Sequence, residues 1–179
     1  MSRRKFASSR REPQPLDLTA LNALAVAYVG RYATSRARLR SYLARKVAER
    51  GWEGGDQAPL DEVVQRCAAL GYVDDAGFAA ARGAALMRRG FGEQRVAAAL
   101  RAVGIDAETA APVRDAARDG ALAAALAFAR RKRIGPFGSE SIDLDQRRRN
   151  FAALLRAGHT PEIARLVAYA APGANLTGD

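Results

Sequence analysis

The sequence predicts an all-α protein, organised as an elongated tandem array of three three-helix repeats whose curvature it leaves open. The first observation is composition: the 179 residues include 41 alanines and four isoleucines. Alanine is the strongest helix former, whereas strands favour β-branched and aromatic residues. The second is periodicity, because apolar residues recur at helical spacing and no stretch shows the alternation of a strand. The third is an internal repeat, which the elements below define.

The chain opens with a basic segment, residues 1–16, that lacks a periodic apolar pattern. It contains several arginines and two prolines and has no apolar face to bury, so it is predicted to be a disordered arm. Two interpretations stay open, namely contact with phosphates and a solubilising leader.

The first repeat is predicted at residues 17–73. Its first helix carries an apolar stripe that includes Leu21 and Leu24, and its second helix starts after Ser35, a favourable N-cap. The chain then loosens through three glycines before Pro59 opens the third helix at a position that proline tolerates.

Gly71 and Asp74 separate this repeat from the second, which is predicted at residues 74–118. Glycine adopts the left-handed conformation that ends many helices, and aspartate accepts hydrogen bonds at the start of the next helix. In the same way Gly90 ends the first helix of the second repeat. Pro112 falls inside its third helix, where it should bend the helix or shift its start.

The third repeat is predicted at residues 119–171. Its first helix breaks at Gly135, its second ends at Gly158, and its third begins at Thr160, which precedes a proline and a glutamate. Residues 172–179 are predicted to be a frayed tail.

The three repeats align at a period of about 50 residues, which is typical of helical arrays in which each unit covers its neighbour's apolar edge. Equivalent first-helix positions are Leu21, Phe78 and Leu122, followed by Leu24, Ala81 and Ala125. Equivalent second-helix positions are Leu43, Leu100 and Leu154, and Gly104 matches Gly158 as a helix stop.

Basic residues recur in the same alignment. Arg31, Arg88 and Lys132 coincide in the first helices, and Arg38, Arg95 and Arg149 coincide in the second. The first-helix cations lie on the flank of the apolar stripe, where the stem can pack while the charge reaches water. Stacked repeats would carry these cations as a basic track for phosphates or for an acidic protein surface. Unrelated surface charges are the alternative.

Arg82 and Arg89 are interpreted as structural, because on a helical wheel they fall within the packing stripe of Phe78. Asp74, Asp75 or a helix C-terminus could supply the partner that a buried guanidinium needs. These two arginines belong to a larger set of residues that we predict to build the structural joints of the repeats. We call them the joint residues, and they are Gly71, Asp74, Phe78, Arg82, Arg89, Gly90, Gly104 and Gly158.

The formal net charge of +10 makes a polyanion, and first of all nucleic acid, the partner to consider. A GC-rich genome can also favour arginine and alanine codons, so a solvated basic surface is the simpler alternative.

Cys67, the single cysteine, lies on an apolar helical face and is predicted to be a core residue. No apolar run resembles a signal segment or a membrane span, and we expect a cytoplasmic monomer without membrane contact.

The sequence shows no convergent catalytic set, phosphate loop or zinc spacing, so we expect neither an enzyme nor a cofactor. His159 is interpreted as a contact of a capping turn rather than as a base. Asp143 and Asp145 could hold a metal, but acids at such positions usually cap a helix, and no metal is expected.

A helix-turn-helix transcription regulator is the alternative function, because two helices flank the turn at Gly104.

Several of these motifs together resemble the RecX family of recombination regulators, over roughly residues 21–170. The matching runs are Leu70-Gly71-Tyr72-Val73-Asp74-Asp75, Phe78-Ala79, Arg88-Arg89-Gly90-Phe91-Gly92, Arg95, Leu100 and Gly104-Ile105, with Ser35-Arg36, Leu39-Arg40 and Leu43 in the first repeat. The departures are Val73 in place of the commoner leucine, a longer joint from Val47 to Pro59, and the basic arm.

The resemblance implies a cytoplasmic bacterial protein of tandem three-helix repeats that modulates the RecA recombinase. Members of the family bind the RecA filament on single-stranded DNA, typically in its groove, and restrain filament growth together with the associated strand-exchange, ATPase and coprotease activities. It therefore also implies a part in recombination, DNA repair and the SOS response. The family has no catalytic motif, so the resemblance assigns no catalytic residue to this sequence.

Overall fold

The computed structural model describes residues 14–139 and 143–176, and these ranges contain nine α-helices. The helices are α1 (Leu18–Val29), α2 (Arg36–Arg50), α3 (Leu60–Ala69), α4 (Asp75–Arg88), α5 (Glu93–Arg101), α6 (Ala107–Asp119), α7 (Ala121–Lys132), α8 (Leu144–Arg156) and α9 (Pro161–Tyr169), with a 3₁₀ turn at Gly135–Phe137. Apart from one isolated parallel bridge between Leu16 and Trp52, the described residues form no β-structure. The all-α prediction is confirmed.

The predicted helix starts are confirmed by side-chain caps. Ser35 accepts a hydrogen bond from the Arg38 N–H at 3.2 Å, and Asp74 accepts one from the Ala76 N–H at 3.0 Å. Asp143 and Thr160, which the sequence also indicated, cap their helices, and so does Asp106; each accepts from the backbone N–H three residues on. Each cap satisfies one of the amide groups that a helix start leaves without an intrahelical partner.

The predicted helix stops are also confirmed. Gly71, Gly90, Gly104 and Gly158 have φ angles of 74°, 73°, 74° and 92° respectively. These values lie in the left-handed region, which costs a residue with a Cβ atom about 1–2 kcal/mol. Of the two effects predicted for Pro112, a shifted helix start does not occur, because α6 begins at Ala107 and runs through the proline; a bend in the helix stays a prediction.

The chain divides into two compact units, a first unit at Met1–Val73 and a second unit at Asp74–Asp179. In the first unit α1, α2 and α3 enclose a core in which Leu21, Leu39 and Leu43 are completely buried. Cys67 belongs to this core, as predicted, and burial raises the pKa of its thiol.

The second unit holds two apolar clusters. One joins α4, α5 and α6 around Val96, Leu100 and Val113, and the other joins α7, α8 and α9. Leu43, Leu100 and Leu154, which the repeat alignment made equivalent, are all fully buried. Ala81 is exposed although its alignment partner Ala125 is fully buried, so these two aligned positions differ in burial. The division of the described helices into three repeats stays a prediction.

Both predicted chain ends need correction where the structure describes them. Leu16 was assigned to the basic arm, but it is fully buried and exchanges backbone hydrogen bonds with Gly51 and Glu53, at 3.0 and 2.9 Å. Near the other end, the Gly173 N–H donates to the Pro136 carbonyl at 2.8 Å, and Leu176 packs against the second unit's core. Residues 14–16 and 172–176 are therefore ordered, while the rest of both predicted segments lies outside the described residues.

Candidate nucleic-acid interface

An open groove lies between α1 and α2 in the first unit, and we call it the tyrosine groove. Its volume is about 730 Å³. Its lining residues are Leu24, Ala27, Tyr28, Arg31, Tyr32, Ala33, Arg38, Tyr42, Arg45 and Lys46. Because α1 ends at Val29 and α2 begins after the Ser35 cap, the turn between them carries Arg31 and Tyr32 to the groove.

Three tyrosine rings form the aromatic part of this groove. Tyr28 of α1 and Tyr42 of α2 are stacked, with ring centroids 4.2 Å apart and an interplanar angle of 18°. Tyr32 lies beside Tyr28 at 5.3 Å and a tilt of 50°. Tyr28 and Tyr42 are half-buried, whereas Tyr32 is 56% exposed. Its ring is thus the most exposed of the three tyrosine rings in this groove.

Four basic side chains surround the rings, and they fall into two pairs. The Arg45 and Lys46 cations lie 5.7 and 6.0 Å from the Tyr42 ring centroid and form ion pairs with Glu49 at 3.0 and 2.7 Å. The hydrogen bond from Lys46, supported by the charges of both cations, lowers the pKa of the Glu49 carboxyl. Arg31 and Arg38 are exposed and have no carboxylate within 4.0 Å among the described residues. They therefore carry the groove's unneutralised charge.

A second groove, the arginine groove, lies in the second unit at the junction of α4 and α5. Its volume is about 380 Å³. It is lined by Arg82, Leu86, Arg89, Phe91, Arg95, Ala98, Ala99 and Ala102. The guanidinium carbons of Arg89 and Arg95 lie 5.4 and 5.8 Å from the Phe91 ring centroid, a geometry in which a cation is attracted to the ring face.

The arginine groove corrects two interpretations. Arg89 was assigned to a packing stripe, but it is exposed and faces the groove. Arg82 is half-buried, and its Nε is buried with no hydrogen-bond partner in the part of the chain that the structure describes, so the expected carboxylate does not reach that atom. Arg88, which the alignment paired with Arg95, is exposed but does not line this groove.

A third groove, of about 510 Å³, lies between the end of α7 and α8. Its lining residues are Lys132, Arg133, Phe137, Gly138, Ser139, Gln146 and Asn150. Arg133 adopts the left-handed conformation with φ 53°, which is uncommon for a residue other than glycine. Arg149 does not line the groove, but its guanidinium donates two hydrogen bonds to the Gln146 side-chain oxygen, at 3.1 and 2.9 Å.

The alignment gives each repeat one first-helix cation and one second-helix cation, which makes three pairs. The structure brings one of these pairs, Arg31 and Arg38, into a single groove. Arg95 and Lys132 each line a groove without their partners, Arg88 and Arg149. A single basic track along the chain stays a prediction. Sequence reasoning missed the three tyrosines as a set, although the four-residue spacing of Tyr28 and Tyr32, typical of side chains that meet on a helix, was a usable signal.

Two turns of the second unit meet in a buried contact that we call the turn seam, residues 90–94 and 157–159. The Gly92 N–H donates to the Ala157 carbonyl at 3.0 Å, and the Gln94 N–H donates to the Gly158 carbonyl at 3.2 Å. The His159 Nε2–H donates to the Gly90 carbonyl at 3.0 Å. His159 is 2% exposed, and burial lowers the pKa of its imidazole more than the bond to Gly90 raises it. It is a structural contact of the turn, as predicted.

The remaining joint residues have local roles. Asp74 caps α4, Phe78 packs against the first cluster of the second unit, and Gly104 ends the turn after α5.

Asp143 caps α8, and Asp145 forms an ion pair with Arg148 at 3.2 Å. No group of three metal-ligating side chains occurs within the described ranges. Across those same ranges, no helix combines the length and apolar character needed to cross a bilayer.

In the helix-turn-helix alternative, α6 would be the recognition helix, but the charges of its side chains do not suit that role. Arg114 and Arg118 of α6 pair with Glu93 at 2.9 and 3.3 Å. Glu108, Asp115 and Asp119 are exposed on the same helix. A helix with neutralised arginines and exposed carboxylates is unsuited to the negatively charged major groove.

Comparison with known proteins identifies the family. No family model matches the chain. The regulatory protein RecX of Myxococcus xanthus (strain DK1622) is 32% identical over 165 residues, covering 88% of each chain. The crystal structure of RecX from Lactobacillus salivarius shares the fold, with a TM-score of 0.62 at 16% identity, over 83% of this chain and 92% of that one. The chain therefore belongs to the RecX family of regulatory proteins.

Proposed function

We propose that this protein binds the RecA recombinase filament on single-stranded DNA and restrains its activity, without catalysing a reaction itself. Membership of the RecX family directs the proposal to RecA. The structural observation that carries it is the tyrosine groove, which the exposed Tyr32 ring lines together with Arg31 and Arg38, two cations that have no carboxylate within 4.0 Å among the described residues.

This combination suits single-stranded nucleic acid. Proteins that bind single strands without sequence preference combine cations for the phosphates with aromatic side chains for the bases. Binding through phosphates releases counterions and therefore weakens steeply as salt rises. The net charge of +10 favours the same class of partner.

The restraint would follow from several weak contacts made at once. Each of the three grooves is lined by cations together with at least one aromatic residue, at separate places along the chain. Contacts that act together gain avidity without any one being strong. A monomer that bridges or caps RecA protomers in this way shifts the filament toward disassembly, since a ligand favours the state it binds better. The cellular consequence we propose is restraint of recombination, DNA repair and the SOS response in the cytoplasm.

The test is RecA ATP turnover on single-stranded DNA with this protein present at substoichiometric levels. We expect slower turnover and shorter filaments. The variant Arg31→Glu should weaken the effect, whereas Arg66→Glu should not, because it makes the same charge change in the first unit on α3, outside the tyrosine groove. Unchanged turnover and filament length with the unaltered protein would remove the proposal, and tight binding to one duplex site would favour the transcription regulator.

A triple charge reversal of Arg31, Arg88 and Lys132 tests the wider track. If these residues act together, DNA binding weakens further than with Arg31→Glu alone, and the dependence of affinity on salt becomes shallower. An unchanged affinity and salt slope in the triple variant would reduce them to unrelated surface charges.

A further inference from the structure

We infer that the tyrosine groove is a nucleobase pocket, in which one base of a single strand stacks on Tyr32 while neighbouring phosphates contact Arg31 and Arg38. The inference rests on the proposed function for its choice of DNA as the partner. It goes further in assigning base stacking to one side chain, which would make the groove selective for single strands over duplex.

The arrangement of the rings supports a stacking site at Tyr32. Tyr28 and Tyr42 occupy each other's faces at 4.2 Å, and the Arg45 and Lys46 cations lie over Tyr42. Tyr32 is held beside Tyr28 at 5.3 Å but stays 56% exposed. A base that stacks on Tyr32 would remove apolar ring surface from water, and every base has a face suited to this contact.

The charges around the rings favour a nucleotide over an acidic peptide. An aromatic face carries partial negative charge, so a carboxylate gains nothing from approaching an exposed ring. A nucleotide combines a neutral base for Tyr32 with a phosphate for the guanidinium groups of Arg31 and Arg38, which find no carboxylate partner in the described part of the chain. The groove's volume of about 730 Å³ falls within the range of about 300–1,000 Å³ typical of small-molecule sites.

Single-strand selectivity follows from the position of the bases. In a duplex the bases are stacked on their neighbours, and they reach a side-chain pocket only if they are extruded at an energetic cost. In a single strand the bases can splay outward and stack on protein rings. Phosphate contacts alone would be available from both forms, so the tyrosine supplies the difference.

The experiment measures binding of a fluorescent oligonucleotide to the full chain by anisotropy, for a single strand, the matching duplex, and a single strand of abasic residues with the same phosphates. We expect Tyr32→Ala to weaken binding of the normal single strand by about tenfold and to leave duplex binding unchanged. Tyr32→Phe should bind like the unaltered protein, because the ring is retained. Tyr72→Ala is the matched control, since Tyr72 is 53% exposed in the same unit but lies outside the groove.

The abasic strand makes the result specific to stacking. The unaltered protein should bind it about tenfold more weakly than the normal strand, whereas Tyr32→Ala should bind both strands equally. If Tyr32→Ala loses as much affinity for the duplex or the abasic strand as for the normal strand, the nucleobase pocket is wrong.

RecA ATP turnover measured with the same variants separates this inference from the proposed function. If Tyr32→Ala binds single strands normally but no longer slows RecA, the groove contacts protein, and the base pocket fails while the proposed function stands. If the unaltered protein discriminates against the abasic strand through Tyr32 but leaves RecA unaffected, the pocket stands and the proposed function fails.

Discussion

The turn seam and the tyrosine groove are built from opposite materials. In the seam, backbone groups contact one another directly, and a side chain at Gly92 would collide with the Gly158 backbone. In the groove, long side chains line open space, and two of them, Arg31 and Arg38, have no carboxylate within 4.0 Å among the residues that the structure describes. The seam is therefore a place where the fold constrains the sequence tightly, whereas the groove is free to be shaped by a ligand.

The largest effect is expected at the seam, from Gly90→Ala. A Cβ atom at Gly90 would lie 2.5 Å from the Phe128 backbone nitrogen and 2.8 Å from the Ala124 carbonyl oxygen. The left-handed conformation adds its own cost. Together they should lower the free energy of unfolding of the second unit by roughly 3 kcal/mol or more, measured by denaturant titration followed by circular dichroism.

Gly71→Ala is the matched control for this prediction. Gly71 has nearly the same φ angle, 74° against 73°, but a Cβ atom there meets nothing within 4 Å. Its cost should be the conformational part alone, about 1–2 kcal/mol. Equal losses in the two variants would show that backbone conformation, rather than contact with α7, makes Gly90 necessary.

The next effect is a pH dependence at His159. Burial lowers the pKa of this imidazole in the folded state, so the folded protein binds its proton less readily than the unfolded chain, whose histidine pKa is about 6.5. The stabilisation is therefore fully present above pH 6.5 and is lost as pH falls through the lower folded-state pKa. Below pH 6.5 the free energy of unfolding should fall by up to about 1.4 kcal/mol per pH unit.

His159→Gln removes this titration while keeping an N–H donor that can reach the Gly90 carbonyl. Because His159 is the single histidine of the chain, no other imidazole contributes in this window. The variant should lose stability at pH 7 but show a flat profile between pH 7 and pH 5. A variant with the same slope as the unaltered protein would place the pH dependence elsewhere.

The same contrast explains which features could be predicted from the sequence. Ser35, Asp74 and Gly158 were assigned correctly, because caps and left-handed turns depend on residues next to them in the chain. Leu16 was missed as a core residue, since its burial depends on pairing with a segment some 35 residues away. Arg89 was misassigned because a helical wheel gives the direction in which a side chain leaves the helix, but not which other residues lie in that direction.

The groove residues were harder still. Arg31 and Arg38 were singled out by the alignment, but the three tyrosines that line the groove with them were not assigned to any binding site. Stacking of Tyr28 on Tyr42 joins two helices, and no local pattern specifies that contact. Charge recurrence therefore located one side of the groove, while the aromatic side emerged only from tertiary packing.

A smaller effect is expected from altering the groove's aromatic edge. Tyr32→Ala should change the free energy of unfolding of the first unit by no more than about 0.5 kcal/mol, because exposed side chains contribute little to the core. Leu43→Ala, at a fully buried position of the same unit, should instead cost about 2–5 kcal/mol. A large loss for Tyr32→Ala would make the ring a structural element and remove the contrast with the seam.

The smallest effect distinguishes unpaired from paired cations through salt dependence. Removing one phosphate contact from a single-stranded complex should reduce the slope of log affinity against log salt by about 0.7. We expect this change for Arg31→Ala, whose guanidinium has no carboxylate partner within the described chain. Arg114→Ala should leave the slope unchanged, because Arg114 is already paired with Glu93 at 2.9 Å. If both variants lower the slope equally, pairing within the protein does not decide which cations bind DNA, and the groove loses its distinction from the rest of the basic surface.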